Sequence, residues 1–197
     1  MRGGSEPGGC QNARTFEKTS SGIDRVSKMR VILSSSEDSI LIVRTCLANS
    51  LTRLGRNEQA SNMLRDVYSA RVRLNGDEHE DTIVAALNYA ASLGSLRRVK
   101  EAKSLLRKTV PVARRVLGEV HDLTLTMRWL HANILYMNDS ATVDDHREAV
   151  ETLESVAISY KRILGASHPE TQKVQNALAT AREKLADARA SEAKPPP

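Results

Sequence analysis

A short motif, Gly-x-x-His-x-x-Thr, occurs three times in this chain, and its spacing constrains the fold more than any other feature. The copies lie at 76–82, 118–124 and 165–171, so they are 42 and then 47 residues apart. A single copy would be compatible with chemistry, because histidine is a common metal ligand and proton carrier. A segment used three times instead indicates a structural repeat, in which neighbouring units stack to bury a shared core.

Small residues report the same period. Two series of alanines recur at intervals of 42 residues, and each has one interval of 47, which indicates a five-residue insertion. The first series is Ala48, Ala90, Ala132 and Ala179, and the second is Ala60, Ala102 and Ala149. A leucine follows most members by three or four residues, so both side chains lie on one helical face. The pattern predicts two helices per unit that approach closely through their alanines.

The repeated motif falls between these units. Its glycine can adopt the left-handed conformation with which many helices end. Its histidine lies just before the next helix, where the imidazole can accept a hydrogen bond from a free backbone amide. We therefore expect His79, His121 and His168 to be structural, since equivalent residues of stacked repeats lie too far apart to share a metal with bonds of about 2 Å.

Composition favours a helical protein without enzymatic motifs. Aromatic residues make up 3% of the chain and apolar residues 40%, so the core consists mainly of Ala, Leu and Val. The net charge is +5, with both signs interspersed along the predicted helices. No phosphate-binding loop, nucleophile elbow, Cys-x-x-Cys pair or long apolar run occurs. The sequence predicts a cytoplasmic, non-enzymatic protein without cofactor, metal or membrane span.

A helix pair repeated about every 42 residues resembles the tetratricopeptide repeat, in its longer kinesin-light-chain-like form. The segments that carry the resemblance are 86–94, 101–108, 115–121 and 162–171, and it covers about 35–185. It implies an all-α fold, a right-handed α-solenoid of antiparallel helix pairs. It also implies a scaffold for protein–protein interaction, whose concave groove binds a peptide segment of a partner.

The period also predicts the organisation of the chain. We expect a disordered tail, a partial repeat helix, three repeats of which the third holds the insertion, a terminal helix and a Pro-rich tail. The predicted boundaries are 1–15, 16–34, 35–76, 77–118, 119–165, 166–188 and 189–197.

If the resemblance holds, side chains of the first helices line the groove. The family's usual Asn, three residues before the first-helix alanine, is replaced here by Thr45, Leu87 and Trp129, and Asn176 alone keeps the amide. The predicted lining is apolar in the middle and polar or basic at its ends, which suits a peptide with an apolar anchor and acidic flanks. The candidate residues are Thr45, Asn49, Arg53, Leu87, Trp129, Asn133, Tyr136, Lys173, Asn176 and Lys184.

Other interpretations stay open at this point. Leu87, Trp129 and Met137 would also serve as ordinary packing between adjacent helices. The chain would equally suit a repeat segment of a larger multidomain regulator that acts through self-association. The basic middle repeat, from Arg97 to Arg115, provides a lesser alternative of weak nucleic-acid binding.

Two local features carry further expectations. Asp144 or Asp145 should cap the helix that follows the insertion at 137–145, rather than bind a metal. Pro111 should bend its helix near Arg107–Pro111, because proline removes an internal hydrogen bond.

Overall fold

Seven helices and short loops make up residues 36–192, the part of the chain that the computed structural model describes. No strand occurs in that part, so the predicted all-α class is confirmed. The helices are α1 at 36–53, α2 at Asn57–Asn75, α3 at Glu80–Ser95, α4 at Val99–Leu117, α5 at Asp122–Tyr136, α6 at Val143–Leu164 and α7 at Pro169–Glu192.

The chain divides into two units, Met1–Val43 and Arg44–Pro197. Only the helical residues 36–43 of the first unit are described. The predicted tail at 1–15 and the predicted helix at 16–34 therefore lie outside the described residues, as do 193–197 of the predicted Pro-rich tail.

The repeated motif forms the junction between one helix pair and the next. Gly76, Gly118 and Gly165 follow α2, α4 and α6 with φ of 83°, 98° and 88°, values that side chains disfavour. The Nδ1 atoms of His79, His121 and His168 accept hydrogen bonds from backbone amides two residues later, at 3.2 to 3.3 Å. The structural interpretation of these histidines is confirmed.

At two junctions, the threonine of the motif forms a hydrogen bond from the first turn of one helix to the helix before it. Thr82 Oγ1 donates to the carbonyl oxygen of Arg71 at 3.3 Å, and Thr124 Oγ1 donates to that of Ala113 at the same distance. Both threonines are buried. Thr171 is buried at the third junction, but its hydroxyl has no hydrogen-bond partner. Each junction therefore buries the threonine, while only two of the three use its hydroxyl.

Alanine packing holds each pair of helices together. The predicted contact alanines are fully buried at Ala48, Ala60, Ala90, Ala102, Ala132 and Ala149. Ala179 occupies the equivalent position of α7 but is exposed, whereas Ala181 is buried against the α5–α6 core. Ala90 and Ala132 each share a core with the second helix of their pair. No second helix follows α7 in the described residues, so Ala179 has no such partner.

The insertion is divided between a loop and a helix. The loop at 137–142 is longer than the equivalent loops at 54–56 and 96–98, and α6 has 22 residues where α2 and α4 have 19. Thr142 caps α6 by accepting from the Asp145 amide, and the Asp145 carboxylate accepts from the Thr142 amide. The expectation that an aspartate is the cap is wrong, because Asp145 is the reciprocal partner three residues inside the helix.

Helix α4 continues through Pro111 from Val99 to Leu117. Proline has no amide hydrogen, so the carbonyl oxygen of Arg107 lacks its usual intrahelical donor. Both residues line a cavity between α4, α5 and α6.

Candidate functional site

A cavity of about 460 Å³ lies where α3 meets α5. Its volume falls within the range of about 300–1,000 Å³ typical of small-molecule sites. The lining is mainly apolar or small, with a few polar groups: Ala91, Gly94, Ser95, Arg97, Val99, Trp129, Leu130, Asn133, Ile134 and Met137. Trp129 and Asn133, both predicted from the sequence, contribute to this one surface.

Trp129 is half-buried and packs against the core shared by α5, α6 and α7. The ammonium nitrogen of Lys173, on α7, lies 4.2 Å from the centroid of its ring. This distance is within the range of about 6 Å over which a cation is attracted to an aromatic face. The indole nitrogen of Trp129 is buried and has no hydrogen-bond partner. The ring is therefore held by packing and by Lys173.

Asn133 links the tryptophan to the end of α5. Its amide nitrogen donates to the Trp129 carbonyl oxygen at 2.7 Å, and its amide oxygen accepts from the Tyr136 hydroxyl at 2.8 Å. Both hydrogen bonds lie within α5. They orient Asn133 toward its own helix, and an incoming peptide backbone would have to compete for the same amide group.

Tyr136 was expected on the groove surface, but only 5% of it is exposed and it belongs to the core between α5 and α6. Burial raises the pKa of its phenol above the ordinary value of 10.0. The ammonium nitrogen of Lys184 lies 5.9 Å from its ring centroid. Tyr136 thus supports Asn133 from within the core and does not line the cavity.

The remaining predicted residues are spread along the first helices. Asn49 and Arg53 are exposed on α1, Thr45 is partly buried there, and Asn176 is exposed on α7. Leu87 is partly buried and packs against the core of α3 and α4, which is the ordinary packing role considered above. None of these five lines the cavity at Trp129.

Arg97 is a cavity residue that the sequence analysis placed only in a basic stretch. Its φ is 58°, in the left-handed region that glycine favours, and Gly55 occupies the equivalent place one repeat earlier with φ of 75°. Its Nη1 donates to the Met137 carbonyl oxygen at 3.1 Å, across from α3 to the end of α5. The sequence signal that could have identified this position is its 42-residue spacing from Gly55.

The basic middle repeat is largely paired with carboxylates. Ion pairs join Arg98 to Glu101, Arg107 to Glu148, Lys108 to Asp77, Arg114 to Glu119 and Arg115 to Glu78. Because most of these side chains have a carboxylate partner, the stretch does not present a continuous row of unpaired cations for an extended nucleic-acid backbone.

The described part of the chain has neither a metal-binding cluster nor a membrane-spanning helix. No group of three or more His, Cys, Asp or Glu side chains there is arranged to hold a metal ion. Among the helices at 36–192, none has the length and apolar character needed to cross a bilayer.

Comparison with known proteins agrees with the architecture. Residues 39–115 match the family model of the tetratricopeptide repeat. No curated protein matches the sequence.

Two solved structures share the fold. One holds the nearly identical tetratricopeptide-like repeats of a protein from Podosopora anserina assigned as a kinesin light chain, with a TM-score of 0.69, 23% identity, and coverage of 76% of this chain and 69% of that chain. A single-substitution variant of that protein gives the same TM-score and identity, with coverage of 76% and 68%. Residues 39–115 therefore match the tetratricopeptide repeat, and the chain shares its fold with these kinesin-light-chain-like repeat structures.

Proposed function

We propose that this protein is a non-enzymatic scaffold that binds a peptide segment of a partner protein along its first helices, with the cavity at Trp129 as the anchor site. The observation that carries the proposal is the apolar cavity between α3 and α5, which lies on adjacent first helices and has an aromatic wall. Tetratricopeptide repeats generally act as protein-interaction scaffolds, which is consistent with this use.

The cavity favours an apolar anchor side chain. Met137 is 53% exposed at its edge, and Ile134, Leu130 and Val99 also line it. Filling this space with a leucine or phenylalanine side chain would remove apolar surface of both molecules from water, a contribution of about 1.5–3 kcal/mol. A contribution of this size changes the dissociation constant by roughly tenfold to a hundredfold.

The charges around the cavity favour acidic residues beside that anchor. Arg97 is exposed on one side, and its nearest carboxylate, Asp139, lies 3.9 Å away with a side chain that is 91% exposed. Lys173 and Lys184 lie over Trp129 and Tyr136 on the side of α7. An acidic peptide residue could pair with either group at little desolvation cost, and this would increase the association rate more than the final affinity.

The test is a fluorescence titration, because Trp129 is the only tryptophan of the chain. The probe is a nine-residue peptide with a central leucine flanked by glutamates. Two matched peptides replace either the leucine by alanine or the glutamates by lysines. We expect saturable binding of the first peptide and at least tenfold weaker binding of the other two.

Protein variants locate the binding site. Met137→Ala should weaken binding several-fold, because it removes exposed cavity surface without touching the core. Ile158→Ala serves as the control, since Ile158 is 62% exposed on α6 and does not line the cavity. Equal affinity of all three peptides, or equal loss in both variants, would reject the anchor site.

A further inference from the structure

A second, smaller cavity lies on another side of α5, between α4 and α6. Its volume is about 230 Å³, below the range of about 300–1,000 Å³ for small-molecule sites. Leu106, Arg107, Val110, Pro111, Arg114, Arg128, His131, Glu148 and Thr152 line it. It shares no residue with the cavity at Trp129. Its size suits one small polar group rather than a peptide segment.

Three guanidinium groups and one carboxylate line this cavity. One carboxylate oxygen of Glu148 lies 3.5 Å from Arg107 Nη2, and the other lies 3.9 Å from His131 Nδ1. The single carboxylate is therefore shared between two residues. Glu119, just beyond the lining, is shared by Arg114 at 2.5 Å and Arg128 at 3.4 Å. Two carboxylates thus offset only part of the charge of three guanidinium groups. The cluster keeps a net positive charge even when His131 is neutral.

Arg128 is the most buried of the three guanidinium groups, so an incompletely matched charge is most unfavourable there. Its side chain is 13% exposed, and its remaining polar contact is a hydrogen bond from Nη2 to Ser155 at 2.9 Å. Burial lowers its pKa, nearby Arg114 lowers it further, and Glu119 compensates only in part. A buried cation whose charge is incompletely matched gains from an added anion.

His131 lines the same cavity and carries an unpaired polar atom. The residue is 8% exposed, and its Nε2 is buried without a hydrogen-bond partner. Burial lowers the pKa of the imidazole, with Arg107 and Lys103 acting in the same direction and Glu148 and Asp145 opposing them. An unpaired buried nitrogen is unfavourable in a folded protein, and an anionic oxygen ligand would satisfy it by accepting a hydrogen bond from its protonated form.

We propose that the cavity between α4, α5 and α6 binds a phosphate group, held by Arg107, Arg114 and Arg128 with His131 as an additional donor. The planar fork of a guanidinium matches phosphate oxygens through paired hydrogen bonds, which favours phosphate over a spherical anion such as chloride. The group is either free phosphate or the phosphate of a phosphorylated side chain. This site is independent of the peptide groove proposed above.

The experiment follows the His131 imidazole by NMR at pH 7.5 and constant ionic strength, with the signal assigned from His131→Gln. Inorganic phosphate is titrated in one arm and N-acetyl-phosphoserine amide in the other, against sodium chloride as reference. We expect a saturable shift with phosphate at this pH, and a pH titration of the same signal should give a higher pKa of His131 with saturating phosphate than with sodium chloride. Tighter binding of the phosphoserine compound assigns the site to a phosphorylated side chain, and equal or weaker binding assigns it to the free ion.

Variants separate the site from general charge effects. Arg128→Gln should weaken phosphate binding by about tenfold or more, as expected for the loss of a charge-assisted hydrogen bond. If Arg128→Gln fails to fold, the double variant Arg107→Gln/Arg114→Gln replaces it, since both side chains are about half exposed. Arg182→Gln is the control, because Arg182 pairs with Glu154 at 2.7 Å and does not line the cavity.

Two results would overturn the proposal. One is the absence of any saturable shift at His131 with either phosphate compound. The other is a phosphate affinity that is the same in the cavity variants as in the control variant Arg182→Gln.

Discussion

The ammonium nitrogen of Lys173 lies 4.2 Å from the ring centroid of Trp129, so a cation of α7 covers the aromatic side chain of α5. This contact joins two successive first helices on the surface proposed for peptide binding. It also leaves Lys173 half exposed, with Glu170 at 3.4 Å as its partner within α7. The lysine can therefore stabilise the tryptophan and still remain accessible to an acidic ligand.

Replacement of this lysine tests the contact without any ligand. Lys173→Gln should reduce the free energy of unfolding by about 0.5–1 kcal/mol and shift the Trp129 emission, because the cation over the ring is lost. Lys173→Arg should preserve most of both properties. Chemical denaturation with fluorescence detection measures them, and Lys100→Gln on α4 controls for the loss of one surface charge. Identical emission and stability in Lys173→Gln and the native protein would contradict the contact.

The junction threonines allow a matched comparison of one substitution in two repeats. Thr124→Val removes a hydroxyl that donates to Ala113 and should cost about 0.5–1.5 kcal/mol. Thr171→Val removes a buried hydroxyl without a partner, so it should be neutral or stabilising. Urea denaturation of both variants gives the difference directly. Equal destabilisation would mean that the hydroxyl of Thr171 is hydrogen-bonded in solution.

Glycines at two kinds of position should respond oppositely to alanine. Gly118 has φ of 98° and ψ of 162°, a region that glycine alone adopts easily, so Gly118→Ala should cost about 1–3 kcal/mol. Gly94 lies inside α3, and a Cβ there would meet Ile134 Cγ1 at 3.5 Å, which is an ordinary contact. Gly94→Ala should therefore be neutral or stabilise the helix by up to about 1 kcal/mol. Thermal unfolding followed by circular dichroism distinguishes the two, and a tolerated Gly118→Ala would show that the junction can relax.

Two buried histidines predict the direction of the pH dependence. Burial lowers the pKa of His131 and of His146, and Lys184 further lowers that of His146. The unfolded chain therefore binds more protons than the folded one just below the ordinary pKa of 6.5. Stability should be complete above that value and decrease as the pH falls below it.

The measurement is the free energy of unfolding between pH 5 and pH 7.5 in urea. His131→Gln/His146→Gln should flatten the dependence, although the double substitution lowers the absolute stability. A slope that stays unchanged in this variant would assign the pH dependence to other groups.

Features that depend on neighbouring residues along the chain were predictable. The cap formed by His121 needs only a backbone amide two residues later, and the stop at Gly118 needs only its own freedom of φ. The buried alanines at 48, 90 and 132 follow from the repeat, because equivalent positions meet equivalent neighbours. The all-α helix-pair fold and the resemblance to kinesin-light-chain-like repeats were predicted on this basis.

Where the repeat changes or ends, local pattern was insufficient. Ala179 keeps the spacing of the buried alanines but is exposed, because no described helix follows α7 to cover it. At the insertion, the cap moved from the expected aspartates to Thr142. Thr142, Asp144 and Asp145 all have side chains that can cap a helix. Which of them becomes the cap of α6 depends on the path of the longer loop before it.

The sequence alone determined the period, the helix junctions and the alanine contacts of this protein, because each depends on residues close together in the chain. The tertiary structure decided which side chains converge. It placed Trp129 beneath Lys173, moved Tyr136 into the core, and brought Arg107, Arg128 and His131 to one cavity. These outcomes depend on how α4, α5, α6 and α7 face one another, and helical spacing within a single segment does not specify the rotation of its neighbours.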